Sequence, residues 1–100
     1  MYYIYILRSV YFEKYYVGYT SDVNRRLEEH NTQQENSFTL RYRPWEIYLK
    51  FEAGDDIAFA RSVERKIKKQ HSREIYDKLK NFEYRKGFLQ SINKTKGPIP

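Results

Sequence analysis

The sequence predicts a mixed α/β (α+β) fold, a small three-stranded antiparallel β-sheet flanked by helices. Three observations lead there. Residues 2–8 and 15–19 are aromatic and β-branched runs separated by six residues, too few for a parallel crossover, so they must pair as an antiparallel hairpin. Residues 45–52 alternate apolar and polar side chains, the pattern of an antiparallel strand with one wet face and one dry face. Helical periodicity behind capping residues fills the stretches near 22–31, 57–70, 72–80 and 82–92.

The chain has 100 residues, enough for one domain with a modest core. That domain is expected over 1–93, with 94–100 a flexible C-terminal tail. Hydrophobic residues make up 40% of the sequence, which suits a globular fold, and the absence of cysteine excludes disulfides and thiolate metal sites. Residues 1–7 are apolar but far too short to span a membrane, so no membrane association and a cytoplasmic location are expected. Nineteen Lys and Arg against 13 Asp and Glu give a net charge of +6, which steers anionic partners, nucleic acid foremost, towards the surface. Eleven tyrosines can fill a core, make an adhesive surface, stack on bases or act as phenol donors.

In order along the chain, the first strand carries Tyr3, Tyr5 and Leu7 on one face and Tyr2, Ile4 and Ile6 on the other, so both faces are covered and the strand is central. The second strand ends in Gly18, and Tyr5 and Tyr16 can approach across the hairpin. Thr20, Ser21 and Asp22 are good N-caps for a helix reaching Asn31 or Gln33. There Val23 and Leu27 form the packing pair, while Arg26 and His30, four residues apart, share a face at the edge of the contact. Residues 32–43 are polar and irregular and read as a mobile loop, in which Arg41 and Arg43 flank Tyr42, two cations beside a stackable ring. After Pro44 the third strand sets Trp45, Ile47, Leu49 and Phe51 on its dry face.

Asp55 or Asp56 caps the next helix, whose apolar stripe is Ile57, Ala60, Val63 and Ile67. Glu64 projects into that stripe, and an uncompensated buried carboxylate costs several kcal/mol, so it needs a partner. A lysine or arginine from a neighbouring element answers that need, and so does a bound cation. Arg61, Arg65, Lys66, Lys68 and Lys69 make the same helix strongly basic, suited to backbone phosphates or to plain solvation. Ser72 caps a third helix, and a fourth over 82–92 carries Tyr84, Phe88 and Ile92 on one side, with the tail TKGPIP beyond it.

Four blocks in order, YIY at 3–5, YVG at 16–18, GYTSDVNRRLEEHN at 18–31 and ARSVERKIKK at 60–69, resemble the GIY-YIG nuclease superfamily. The likeness is strongest to its small stand-alone single-domain members, which also show segments like TLRYRPWE and KIKKQHS. It covers residues 2 to about 80. It implies a divalent-metal-dependent endonuclease that hydrolyses DNA phosphodiester bonds with one Mg²⁺ or Mn²⁺. Carried over by position, Tyr5 and Tyr16 are the signature tyrosines, Arg26 the catalytic arginine with His30 one turn later, and Glu64 the metal-binding glutamate. On that reading Arg26 offers its donors to the phosphate, Tyr16 takes phosphate or water, and Tyr5 is the base, with His30 the competing base or proton relay. Arg25, Arg41, Tyr42, Arg43, Arg61, Arg65, Lys68 and Lys69 are the candidate nucleic-acid contacts.

Two departures stand out. The first-signature glycine is Tyr3 here, and where some family nucleases place a second histidine this chain has Thr39, Arg41 and Tyr42, which leaves the general base open. With little room for sequence readout, the expected substrate is branched or flapped DNA, cut structure-selectively or with weak sequence preference in repair or recombination, with a partner protein for targeting. Two other readings stay open: a catalytically inactive or partner-dependent nucleic-acid-binding module, and an interaction protein using its tyrosine-rich surface.

Overall fold

In the computed structural model, which describes residues 1–32 and 37–95, β1 (Tyr2–Ser9) is the central strand of a sheet ordered β2-β1-β3. It pairs antiparallel with β2 (Tyr15–Thr20) and with β3 (Trp45–Gly54). The helices are α1 (Val23–Thr32), α2 (Ser37–Arg41), α3 (Ile57–Gln70), α4 (Arg73–Lys78) and α5 (Phe82–Thr95). The fold class is the expected one: an α+β domain of three antiparallel strands with flanking helices. No helix among the described residues is long and apolar enough to cross a membrane.

The double-sided pattern of β1 splits the interior in two. Ile4 and Ile6 face Val17, Phe51 and Ala53 and the apolar sides of α3 (Ala60, Val63, Ile67), α4 (Ile75, Tyr76) and α5 (Phe88, Ile92). Tyr5 and Leu7 face the other way, onto Val23 of α1 and Trp45, with Tyr3, Tyr16, Leu27 and Ile47 around them. Each fully buried aliphatic or aromatic side chain contributes roughly 1.5–3 kcal/mol, and β1 alone supplies four, Ile4, Tyr5, Ile6 and Leu7.

Caps set the helix boundaries. The Asp56 carboxylate accepts from the Ala58 N–H and starts α3; Ser72 accepts from the Ile75 N–H and starts α4. Between them His71 takes the left-handed conformation (φ 32°) and donates its N–H to the Ile67 carbonyl, closing α3.

The structure corrects three expectations. The apolar face of β3 is not continuous: Ile6 pairs with Leu49 but Leu7 pairs with Ile47, so Tyr48 is an extra residue in the ladder. This irregularity changes which side the apolar residues face. Trp45 and Ile47 join the Tyr5 cluster while Leu49 and Phe51 join the Ile4 cluster, and the strand therefore has no wholly wet face. Secondly, part of the stretch read as a mobile loop is the short helix α2, held by tertiary contact: the Trp45 indole N–H donates to the Thr39 carbonyl at 2.9 Å. Residues 33–36 lie outside the described residues. Thirdly, Ile57 and Tyr84, placed on apolar stripes, are exposed. The helix α5 continues to Thr95, and residues 96–100 of the expected tail lie outside the described residues.

Candidate active site

The site is built on the Tyr5 face of the sheet, where β1, the edge strand β2 and helix α1 meet. Tyr5 stands directly opposite Gly18 and Tyr16 opposite Leu7. The two phenols are diagonal neighbours on one face, with ring centroids 6.3 Å apart and 27° between planes. Gly18 makes this approach possible, because a Cβ there would lie 2.4 Å from the Tyr5 hydroxyl oxygen and 2.5 Å from its Cζ. The signature glycine is thus the floor on which the Tyr5 phenol rests.

Helix α1 brings in the next two groups. Its entry is set by Asp22, whose carboxylate accepts from the Arg25 N–H at 3.1 Å. Its far end is pinned by Asn31, whose side-chain amide donates to the Trp45 carbonyl at 3.1 Å and accepts from the Trp45 N–H at 2.6 Å. Held at both ends, α1 places His30 Nε2 3.0 Å from the Tyr5 hydroxyl and its ring 4.6 Å from that of Tyr16. The Arg26 guanidinium lies near the same hydroxyl, and its charge acts on the phenol. A guanidinium can only donate and a phenol hydroxyl can donate or accept, so the direction of the Tyr5–His30 bond follows the imidazole tautomer.

The grouping of Arg26, Tyr5 and His30 has electrostatic consequences. His30 is only 4% exposed, so the expectation of an imidazole at the edge of the contact is corrected: it is interior. Burial, reinforced by the Arg26 charge, lowers its pKa from 6.5 to about 4. Burial likewise pushes the Tyr5 phenol up to about 12, against the opposing pull of Arg26. Both groups are neutral at pH 7. The unfolded chain takes up the His30 proton first on acidification, so this group's contribution is complete above pH 6.5 and is lost as pH falls from 6.5 to about 4. The loss is roughly 3 kcal/mol. Urea unfolding at pH 7.5 and pH 4.5 should show this acid sensitivity in the parent and a shallower one in His30→Gln. An identical slope in both proteins would assign it to other groups.

Arg26 is also held by Glu29, one turn along α1, which pairs with Arg25 at 3.7 Å as well. Glu29 is the site residue that sequence reasoning passed over, although its i,i+3 and i,i+4 spacing from the two arginines was a readable signal. It fixes the guanidinium at the rim of the site, where the Arg26 side chain is about one-third exposed (32%).

Helix α3 supplies the carboxylate from the β2 side. Glu64 is not enclosed by the apolar stripe: its side chain is 19% exposed, at the margin between Ala60 and Ile67. The cation nearest to it is from its own helix and not from a neighbouring element, Lys68 Nζ, 3.4 Å from Oε1. The same Nζ lies 5.7 Å from the Tyr16 centroid, which ties the α3 carboxylate to the tyrosine pair. No group of three or more His, Cys, Asp or Glu able to hold a metal occurs among the described residues. Among the described residues Glu64 is thus a single carboxylate and not part of a protein cage for a metal.

The remaining candidates divide. Arg41, Arg65 and Lys69 are exposed. Arg61 donates to the Tyr19 hydroxyl at 2.9 Å, and Arg43 to the Asn31 carbonyl at 3.1 Å. Tyr42 is half-buried, with Phe12 and Phe38 against its ring. Lys66 turns away, donating to Ser91 and lying over the Phe88 ring, so it ties α3 to α5.

Fold and site define a class: a three-stranded antiparallel sheet that presents two signature tyrosines, with an arginine and a glutamate brought in by helices from either side. The chain belongs to the GIY-YIG family, a nuclease superfamily; residues 1–80 match the family model for the GIY-YIG catalytic domain. Comparison with functionally curated proteins gives no match. Comparison with solved structures gives none either.

Proposed function

We propose that this protein is a divalent-metal-dependent endonuclease that hydrolyses DNA phosphodiester bonds, acting on branched or flapped substrates with weak or no sequence preference. The observation that carries the reading is the convergence of Tyr5, Tyr16, Arg26 and His30 on one face of the sheet, with Glu64 carried to its β2 edge by a helix rich in exposed cations. Glu64 would hold the Mg²⁺ or Mn²⁺, which when bound neutralises phosphoryl charge and eases departure of the 3′-oxygen. Arg26, oriented by Glu29, presents guanidinium donors to a non-bridging phosphate oxygen. Tyr16, half-buried and beside His30, is the phenol placed to meet phosphate or water.

Tyr5 is better suited to positioning than to proton abstraction. Its side chain is 1% exposed and its hydroxyl is already engaged by His30 at 3.0 Å, with the Arg26 charge beside it. Arg25, Arg41, Arg61, Arg65, Lys68 and Lys69 would hold backbone phosphates on either side, a role that gives affinity without sequence readout. The domain acting is the span 1–93, in the cytoplasm, with targeting left to a partner.

The test is cleavage of labelled flapped, four-way-junction, single-stranded and duplex DNA, and of RNA, with Mg²⁺, Mn²⁺ or chelator. Parent protein should cut branched DNA only with metal, and Arg26→Ala should cut about 100- to 1,000-fold more slowly. Equal cutting by both proteins would trace the activity to a contaminant. Salt-sensitive binding without cutting would instead support the binding-module reading.

A further inference from the structure

Beside the candidate active site, a line of aromatic rings leaves Tyr16 and crosses the surface to the tip of the β1–β2 hairpin. Phe38 of α2 lies 6.5 Å from Tyr16, Tyr42 5.1 Å from Phe38, and Phe12 5.3 Å from Tyr42, all between centroids. The tip is held in place: the Ser9 hydroxyl donates to the Tyr42 carbonyl at 2.7 Å and accepts from the Phe12 N–H at 3.2 Å. Phe12 is 49% exposed and Phe38 38%, which is costly display for apolar rings in a small domain. Cations stand over two of the rings, Lys68 above Tyr16 (5.7 Å) and Lys14 above Tyr42 (5.3 Å). Glu13, next to Phe12, is 3.9 Å from Arg73.

We infer that Tyr16, Phe38, Tyr42 and Phe12 form a stacking track for an unpaired nucleic-acid strand, leading it between flanking lysines into the active site. The inference rests on the nuclease reading for its direction and names that reading's substrate feature, a single-stranded arm. Rings interleaved with cations are what unpaired bases and their phosphates require, and the preference is sequence-tolerant because every base has a π-face. A paired duplex keeps its faces stacked inside the helix and cannot use the track. Neighbouring rings already meet edge to face at Phe38–Tyr42 and Phe12–Tyr42, so bases do not wedge between them. A protein partner would use the apolar area of the same rings but would gain nothing from lysines placed over ring faces.

The experiment is fluorescence anisotropy in chelator, with the full chain and three DNAs: a blunt duplex, the same duplex with a single-stranded thymidine arm, and that duplex with abasic residues in the arm. The expected result is affinity for the thymidine arm about 5- to 100-fold above the blunt duplex, falling back when the bases are removed. Phe12→Ala and Phe12→Leu should lose most of the gain, and Phe12→Trp should keep it. Equal affinity for thymidine and abasic arms would overturn the track using the parent protein alone. Full retention of the gain by Phe12→Leu would overturn it too, leaving an apolar protein-docking face. Because metal is absent, failure here is distinct from failure of the nuclease reading, which would appear as no cleavage of any DNA with Mg²⁺ or Mn²⁺.

Discussion

Gly18→Ala should destabilise the protein by about 2–3 kcal/mol, the upper range for overpacking a filled core, and should depress any cleavage further than that loss of folded protein accounts for. The added methyl meets the Tyr5 side chain at three atoms, the hydroxyl oxygen at 2.4 Å, Cζ at 2.5 Å and Cε1 at 2.8 Å. Tyr5 has no free space to move into: it is 1% exposed, stacks near Tyr16 and bonds His30 at 3.0 Å. The ring must shift or the strands must part, and a shift pulls the hydroxyl from His30. In a domain of this size each kcal/mol lowers Tm by roughly 4–8 °C, so thermal denaturation will read the effect directly. Tyr5→Leu in the same chain removes the clashing ring. The double variant should therefore be more stable than the sum of the two single losses allows. Strict additivity would show that the methyl is accommodated without touching Tyr5.

This glycine illustrates what could be read from the sequence and what could not. Hydrophobic periodicity made β1 the central strand, because only a strand buried on both sides carries Ile4 and Ile6 against Tyr5 and Leu7; the sheet order agrees. A cap at Asp55 or Asp56, of which the structure uses Asp56, and the cap at Ser72 were legible because capping is chemistry local to four residues. That Tyr5 and Tyr16 approach was legible too, but not how. Register depends on the whole hairpin, and the structure pairs Tyr5 with Gly18, so the phenols meet on a diagonal across a missing side chain.

What stayed hidden depends on contacts distant in sequence. The irregularity at Tyr48 arises in the ladder with β1, and alternation along β3 carries no trace of it. The helix α2 is five residues long, too short to be stable alone, and its support from the Trp45 indole lies beyond any local window. Helical spacing set His30 beside Arg26, yet could not say that Trp45, bound on both sides by Asn31, draws the end of α1 inward and buries the imidazole. For Glu64 the helical wheel gave an angle without a depth. The carboxylate sits at the margin of the stripe, where its own Lys68 reaches it.

That marginal position separates function from stability at Glu64. Glu64→Gln keeps the size of the side chain and removes the charge. The structural cost is the ion pair with Lys68, whose side chain is 49% exposed, and exposed pairs of this kind contribute about 0–1 kcal/mol. Tm should therefore stay within about 8 °C of the parent. Cleavage, by contrast, should fall by at least about 100-fold, because a hydrated divalent ion with one protein carboxylate loses its anchor when that carboxylate becomes an amide, and with it several kcal/mol of charge stabilisation. Raising Mn²⁺ should recover part of the rate if weakened metal affinity is the cause. Binding to DNA in chelator should be unchanged or slightly tighter, since one negative charge has left a basic face. A Glu64→Gln protein that cuts at the parent rate would remove the carboxylate from the mechanism. One that unfolds would show that Glu64 belongs to the core after all, contrary to its 19% exposure and its single turn-to-turn partner.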